Sequence, residues 1–138
     1  MKVRITLERG NTSVEAEINE MGSPIVAKSL LKLLPIKSTV SHARWGGNEI
    51  WTSLKGFEKY ANENATCLPV PGEICVVPVG GDNFDLAIWY GRGWLFGPES
   101  GFLPAAVVGK ITNGLSEFAV AANEVLTKGN DTIIVEKV

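Results

Sequence analysis

The sequence contains no glutamine, one histidine (His42) and only two cysteines, Cys67 and Cys75. So little histidine and cysteine argues against a metal centre, because zinc sites draw on several such ligands at fixed spacing. The two cysteines lie too far apart for a C-x-x-C pair, and Cys75, inside Ile-Cys-Val-Val, reads as a core residue. A disulfide between them is not implied. No apolar run is long enough to span a membrane, and the opening Met-Lys-Val-Arg-Ile-Thr-Leu-Glu lacks the apolar stretch of a signal peptide. The expectation is a cytoplasmic protein with reduced thiols and no membrane partner. An excess of charge of one sign is missing too. Thirteen basic residues stand against 15 acidic ones, a net of −2, and the basic residues are scattered. Nothing electrostatic therefore favours a nucleic-acid partner. There is no Gly-x-Ser-x-Gly, no Walker motif and no dinucleotide fingerprint. Gly91-Arg92-Gly93 is too short for a phosphate loop and leads no helix, so no cofactor is expected.

What is present is the pattern of a compact β-rich chain. With 138 residues, 45% of them apolar and 20% charged, the chain fits one domain over 1–138 that can bury a core without staples. Val3, Ile5 and Leu7 alternate with polar residues, Arg9-Gly10-Asn11 supplies a turn, and Val14, Ala16 and Ile18 form the second arm of a hairpin. At Gly22-Ser23-Pro24 the period changes. Serine before proline reads as N-cap and first helical position of a helix carrying Ile25, Val26, Ser29, Leu30, Leu33 and Leu34, ended by Pro35. Ile36 to Trp45 and Glu49 to Leu54 read as strands joined by a tight turn at Gly46-Gly47-Asn48. Residues 55–66 are irregular, with a short helical turn expected near Gly56–Tyr60. Pro71-Gly72 fits the centre of a type II turn before a strand over Glu73–Pro78. Phe84 to Tyr90 and Ala105 to Thr112 read as strands separated by a Gly- and aromatic-rich loop, residues 91–101. A short helix or helical turn over Asn113–Val125 precedes a final strand, Thr132 to Val138.

The densest group of chemically able side chains runs from Ser41 to Trp51. Side chains alternate along a strand, so His42 and Arg44 share one face and Ser41, Ala43 and Trp45 the other. A two-residue turn at Gly46-Gly47 or Gly47-Asn48 adds Glu49 and Trp51 to the face of His42 and Arg44 and leaves Trp45, Ala43 and Ile50 facing the core. A three-residue loop would swap the grouping. On the first geometry, His42 can take a proton near neutral pH, Arg44 can hold a carboxylate or carbonyl oxygen, and Trp51 can stack on a planar group. The plainer alternative is an Arg44–Glu49 cross-strand ion pair on a solvated face, beside an ordinary edge histidine. Tyr90 and Arg92 stand at the entry to the glycine-rich loop, which also carries Trp94, Phe96, Glu99 and Phe102. Aromatics in such a loop suit either a pocket lid or a surface that a second copy of the chain buries, with subunit contact favoured. The expected ligand-binding set is thus His42, Arg44, Glu49, Trp51, Tyr90 and Arg92, with no assigned catalytic residue.

Several of these features occur together elsewhere. The opening hairpin, the helix ending in Leu33-Leu34-Pro35-Ile36, the His42–Trp51 segment with Trp45-Gly46, Pro71-Gly72-Glu73-Ile74, Tyr90-Gly91 and Val108-Gly109-Lys110-Ile111 resemble a family of small bacterial and archaeal cyclophilin-like proteins of unknown function. The resemblance covers effectively the whole chain. It implies a mainly β fold, a closed barrel of about eight strands flanked by two short helices. Cyclophilins are prolyl isomerases whose groove uses an arginine within Phe-His-Arg together with Gln, Phe, Trp and His residues. Here His42-Ala43-Arg44 lacks that adjacency, no second histidine follows and glutamine is absent, so only Arg44 carries over. On such a barrel, the face shared by His42, Arg44, Glu49 and Trp51 leads to the expectation of a barrel-side groove for a small polar or anionic molecule; the alternatives are a degenerate prolyl isomerase or proline-peptide binder and, from Trp94, Phe96 and Phe102, a non-catalytic homo-oligomeric subunit.

Overall fold

The computed structural model describes residues 1–97 and 101–138. The strands are β1 (Lys2–Leu7), β2 (Thr12–Ile18), β3 (Ile36–His42), β4 (Gly47–Ser53), β5 (Ala65–Thr66), β6 (Glu73–Gly80), β7 (Asn83–Gly93), β8 (Phe96–Gly97), β9 (Gly101–Phe102), β10 (Ala105–Asn113) and β11 (Asp131–Lys137). The helices are α1 (Pro24–Lys32) and α2 (Leu115–Lys128). The main sheet runs β2-β1-β11-β3-β4-β7-β6-β10, and a further β2–β10 pairing closes it into an eight-strand antiparallel barrel, with β5 appended to β10. Closure removes the unpaired edges that an open sheet of this size would expose. The expected mainly β barrel with two helices is therefore the fold. Among the described residues no helix is long and apolar enough to cross a membrane.

The alternation read in the first hairpin sets its register. Val3 pairs with Ala16 and Ile5 with Val14, so one apolar face points into the barrel. Ile50, Ile74, Val76, Leu86, Ile88, Val108, Ile133 and Val135 join them in one core. Helix α2 adds Phe118, Ala121, Ala122 and Val125 at i, i+3, i+4 and i+7. It is a fourteen-residue helix, longer than the short element read over Asn113–Val125. Helix α1 contributes Val26, Ala27 and Leu30. Ser23 is its N-cap by position, but its hydroxyl donates to the Val107 carbonyl instead. The helix amides of Ile25 and Val26 donate to the Glu63 carboxylate, so an acid from the distant 55–64 segment satisfies the helix start. That segment forms no helical turn at Gly56–Tyr60. Phe57 and Tyr60 pack on Phe84, and the Ala106 amide donates to the Tyr60 hydroxyl. The type II turn at Pro71-Gly72 forms as read, with Glu73 N–H donating to Val70 C=O and Gly72 at φ +91°.

A second, smaller core lies on the outside of the barrel wall. Cys75, Val77, Ala87, Trp89, Leu95, Ala105 and Val107 are buried there, with Trp51 and Leu103 packed against them. The outer faces of β6, β7 and β10 are thus covered, which is why β7 reads as a nearly unbroken apolar run. The cover is the chain after β7. In it β8 and β9 pair antiparallel, with the Phe96 and Phe102 rings tilted against each other at 4.7 Å between centroids. Part of the 91–101 stretch read as loop is therefore strand. Glu99 lies outside the described residues.

Candidate functional site

The decisive local feature is the connection between β3 and β4. Ser41 pairs with Trp51 and His42 with Ile50, and Ala43 N–H donates to Glu49 C=O. Five residues, 44–48, therefore lie between the last partnered positions of β3 and β4, Ala43 and Glu49, rather than two. Arg44–Gly46 form a single 3-10 turn and Gly47 follows at φ +91°. A side chain on Gly47 would run into the Arg92 carbonyl, so glycine both permits the conformation and lets the turn lie flush on β7. An odd loop exchanges the faces of the returning strand. The grouping of His42, Arg44, Glu49 and Trp51 on one face is overturned. His42 faces the barrel interior with Ile50, while Glu49 and Trp51 face outward with Ala43. Trp45, expected on the core face, is 72% exposed at the turn. Arg44 and Glu49 form no ion pair.

The inward group is His42 and Tyr90. His42 Nε2 lies 2.6 Å from Tyr90 Oη, and the hydroxyl lies 3.4 Å from Asn123 Oδ1 on α2. His42 Nδ1 is buried without a partner. Burial, then the nearby Arg44 charge, holds the imidazole below its usual pKa, so it is neutral near pH 7. The economical arrangement has Nε2–H donating to Tyr90, Tyr90 donating to Asn123, and only a lone pair left unmet at Nδ1. Burial raises the Tyr90 hydroxyl, with Arg44 opposing. Arg44 and Arg92 are both exposed.

The outward group borders a hollow of about 340 Å³ between the barrel wall and the covering segment. Its lining includes Glu49 and Trp51 from β4, Asp85 from β7, Val77 and Val79 from β6, Trp45 and Gly46 from the turn, and Trp94, Leu95 and Phe96 beyond β7. His42, Arg44, Tyr90 and Arg92 do not line it. The turn and the cover are tied together. Gly46 C=O accepts from Trp89 Nε1 at 3.0 Å and from Trp94 N–H at 3.1 Å, and Trp45 C=O accepts from Trp94 Nε1 at 2.6 Å. Glu49 is only 7% exposed and its carboxyl lies against Gly46. Among the described residues no group donates a hydrogen bond to that carboxyl. Burial, and secondarily the charge of Asp85, push its pKa up to about 8. Asp85 is raised as well, by burial, with the Ser53 hydroxyl acting the other way. Among the described residues, Trp51 Nε1 is buried without a partner. Cys75 lies beneath, wholly buried, its thiol pushed up by burial and by Glu73 and Glu49. Both cysteines are free thiols.

The six residues expected at one site thus fall into an inward set and an outward set. Two further members of the outward set were missed. Asp85 interrupts the apolar strand Phe84–Tyr90, and a carboxylate alternating with Ala87 and Trp89 was its signal. Trp45 was assigned to the core on a register that the turn does not adopt.

Comparison with known proteins places the chain. The family described as "Protein of unknown function (DUF3830)" matches residues 5–136. The chain belongs to the DUF3830 family. No curated protein matches it. Among solved structures, this DUF3830 chain is similar to McbB, determined in complex with tryptophan, with a TM-score of 0.74 and 20% identity over 98% of this chain and 44% of that one. It is similar also to the hypothetical protein AF2241 from Archaeoglobus fulgidus, determined in solution, with a TM-score of 0.62 and 20% identity over 100% of this chain and 95% of that one. The DUF3830 chain therefore spans less than half the length of McbB. At this identity both likenesses establish a shared cyclophilin-like barrel, in agreement with the resemblance read from the sequence.

Proposed function

We propose that this DUF3830 protein binds a small molecule in the outer-face hollow between β4, β6, β7 and the covering segment. One observation carries the reading. A buried carboxyl with no donor, Glu49, borders a hollow walled by three tryptophans and a phenylalanine. Ligand sites are typically concave and mostly apolar, of a few hundred Å³, with few convergent polar groups, and often carry perturbed acids. McbB, the larger neighbour, was solved with tryptophan bound, which supports a barrel of this class as a ligand scaffold. The hollow lies beside the barrel, as the expected groove does. Among the described residues, however, its lining includes two carboxyls and no lysine or arginine, so it does not favour the anionic ligand anticipated from Arg44 and His42. Arg44, the residue carried over from prolyl isomerases, sits exposed on the 3-10 turn outside the hollow.

The test is an indole N–H spectrum of the ¹⁵N-labelled chain, titrated with a panel of small heteroaromatic compounds. The Trp51 and Trp94 resonances are expected to shift saturably and together. No saturable shift at either tryptophan, up to millimolar concentrations, would refute the reading.

A second reading is self-association through the β8–β9 hairpin, because Phe96 and Phe102 are 49% and 61% exposed. Light scattering on the wild type and on Phe102→Ser decides it. A wild-type mass of one chain rejects it, and a larger mass that the variant loses supports it.

A further inference from the structure

The outer hollow is polar in one sense only. Glu49 stands at one end, under the 3-10 turn. Asp85 stands toward the other end, opposite Ser53 in the β4–β7 register, while Trp51 pairs with Ala87 between them. Both acids border the hollow and, among the described residues, no basic side chain does. Each element packed around Glu49 contributes its own groups. From β7 comes Asp85, another acid. From β6 comes Cys75, a thiol kept protonated by burial. The covering segment presents Trp94, Leu95 and Phe96, none titratable. On the turn, Arg44 is exposed, and its charge acts on His42 and Tyr90 across the wall. Thus, among the described residues, nothing of the opposite sign compensates Glu49. A buried acid in that position either keeps its proton or acquires a cation. A metal ion is a poor occupant, because the two carboxyls are separated along the strands and no cluster of metal-ligating residues forms among the described residues. Indole faces, in contrast, attract organic cations and stack on flat apolar bodies.

We propose that the hollow takes an organic cation: a protonated amine on a flat apolar body, seated on Glu49 in exchange for that residue's proton. Asp85 adds a second carboxyl toward the far end of the hollow. The proton released by Glu49 passes to solvent as the ammonium enters. This names the ligand class of the site proposed above and rests on that reading.

The probes are three indoles with the same body and different charge: tryptamine (cation), tryptophol (neutral) and indole-3-acetate (anion). They are titrated into the full chain by calorimetry at pH 7, in two buffers of different ionisation enthalpy. Tryptamine is expected to bind about tenfold or more tighter than tryptophol, indole-3-acetate weakest, and tryptamine alone to release close to one proton. Glu49→Gln is expected to abolish both the preference and the proton release. Equal binding of tryptamine and tryptophol, or tightest binding of indole-3-acetate, overturns the inference and leaves small-molecule binding standing. Tryptamine binding without proton release also overturns it. If none of the three indoles, and no member of the wider heteroaromatic panel, moves the Trp51 and Trp94 signals, the binding site itself is refuted.

Discussion

Replacing Glu49 by Gln should change how stability depends on pH, and the size of the change follows from the structure. The folded state holds the Glu49 proton up to about pH 8, against an ordinary value of 4.5. Below pH 4.5 the group is protonated in both states and contributes nothing that varies. Between the two values the folded state keeps a proton that the unfolded chain has lost, so stability falls as pH rises, by about 1.4 kcal/mol per pH unit. Across the whole window the loss approaches about 5 kcal/mol, a large part of the stability of a domain this size. The Gln variant has no proton to lose. Its stability relative to wild type should climb steadily from pH 5 to pH 8 and level off above. The raw wild-type curve is not diagnostic. His42 acts in the opposite sense: its folded value lies below 6.5, so its contribution is lost as pH falls from that value. Asp85 acts in the same sense as Glu49. Subtracting variant from wild type isolates Glu49. The assay is urea unfolding of both proteins at pH 5, 6, 7, 8 and 9, read by far-ultraviolet circular dichroism. A difference that stays flat within about 1 kcal/mol over that range, or that moves against the variant as pH rises, would show that Glu49 is not a buried, uncompensated acid.

Other expectations concern the same neighbourhood and the barrel ends. Gly46→Ala drives a methyl group into the Glu49 carboxyl, so it should displace that group toward water and shrink the pH-dependent difference between this background and its Glu49→Gln partner by half or more (roughly). His42→Phe removes the partner of Tyr90 and should cost about 1 kcal/mol at pH 7. It should also flatten the part of the acid limb that begins near pH 6.5, as measured by thermal unfolding. Arg9→Ala removes a guanidinium that donates to the carbonyls of Glu124, Gly129 and Asn130 at the end of α2. Its expected effect is about 1 kcal/mol, with faster amide exchange confined to the last turn of that helix.

The barrel was legible because its strands follow simple rules. Val3, Ile5 and Leu7 alternate cleanly, and β7 is buried on both faces and so reads as an apolar run. Turn chemistry at Pro71-Gly72 is local and was read correctly. The faces of the His42–Trp51 segment were not legible. Gly46-Gly47-Asn48 satisfies the composition of a two-residue turn, yet Gly47 is required for its close approach to the Arg92 carbonyl, forty-odd residues away in sequence. Register there is a tertiary property, and an odd connection of five residues in place of two sends Glu49 and Trp51 to the opposite side from the one expected. The start of α1 lies where it was read, with Ser23 as N-cap and Pro24 first in the helix, but the cap's hydrogen-bond partners were not legible. Ser23 has the composition of a cap, but Val107 claims its hydroxyl and Glu63 supplies the carboxylate. Helix α2 was read short because half of its buried stripe is Ala121 and Ala122, which signal burial weakly.

The Gly46 carbonyl has a mechanical corollary. It receives the indole of Trp89 from the wall and the amide of Trp94 from the cover, and the adjacent Trp45 carbonyl holds the Trp94 indole. Wall, turn and cover therefore share one knot, with the Glu49 carboxyl lying against Gly46. Displacing the cover from the turn must break the bonds to Gly46 and Trp45 and so disturb the carboxyl that lies against Gly46. The hollow then has no independent door: in the proposed site, access and the protonation of Glu49 are expected to vary together.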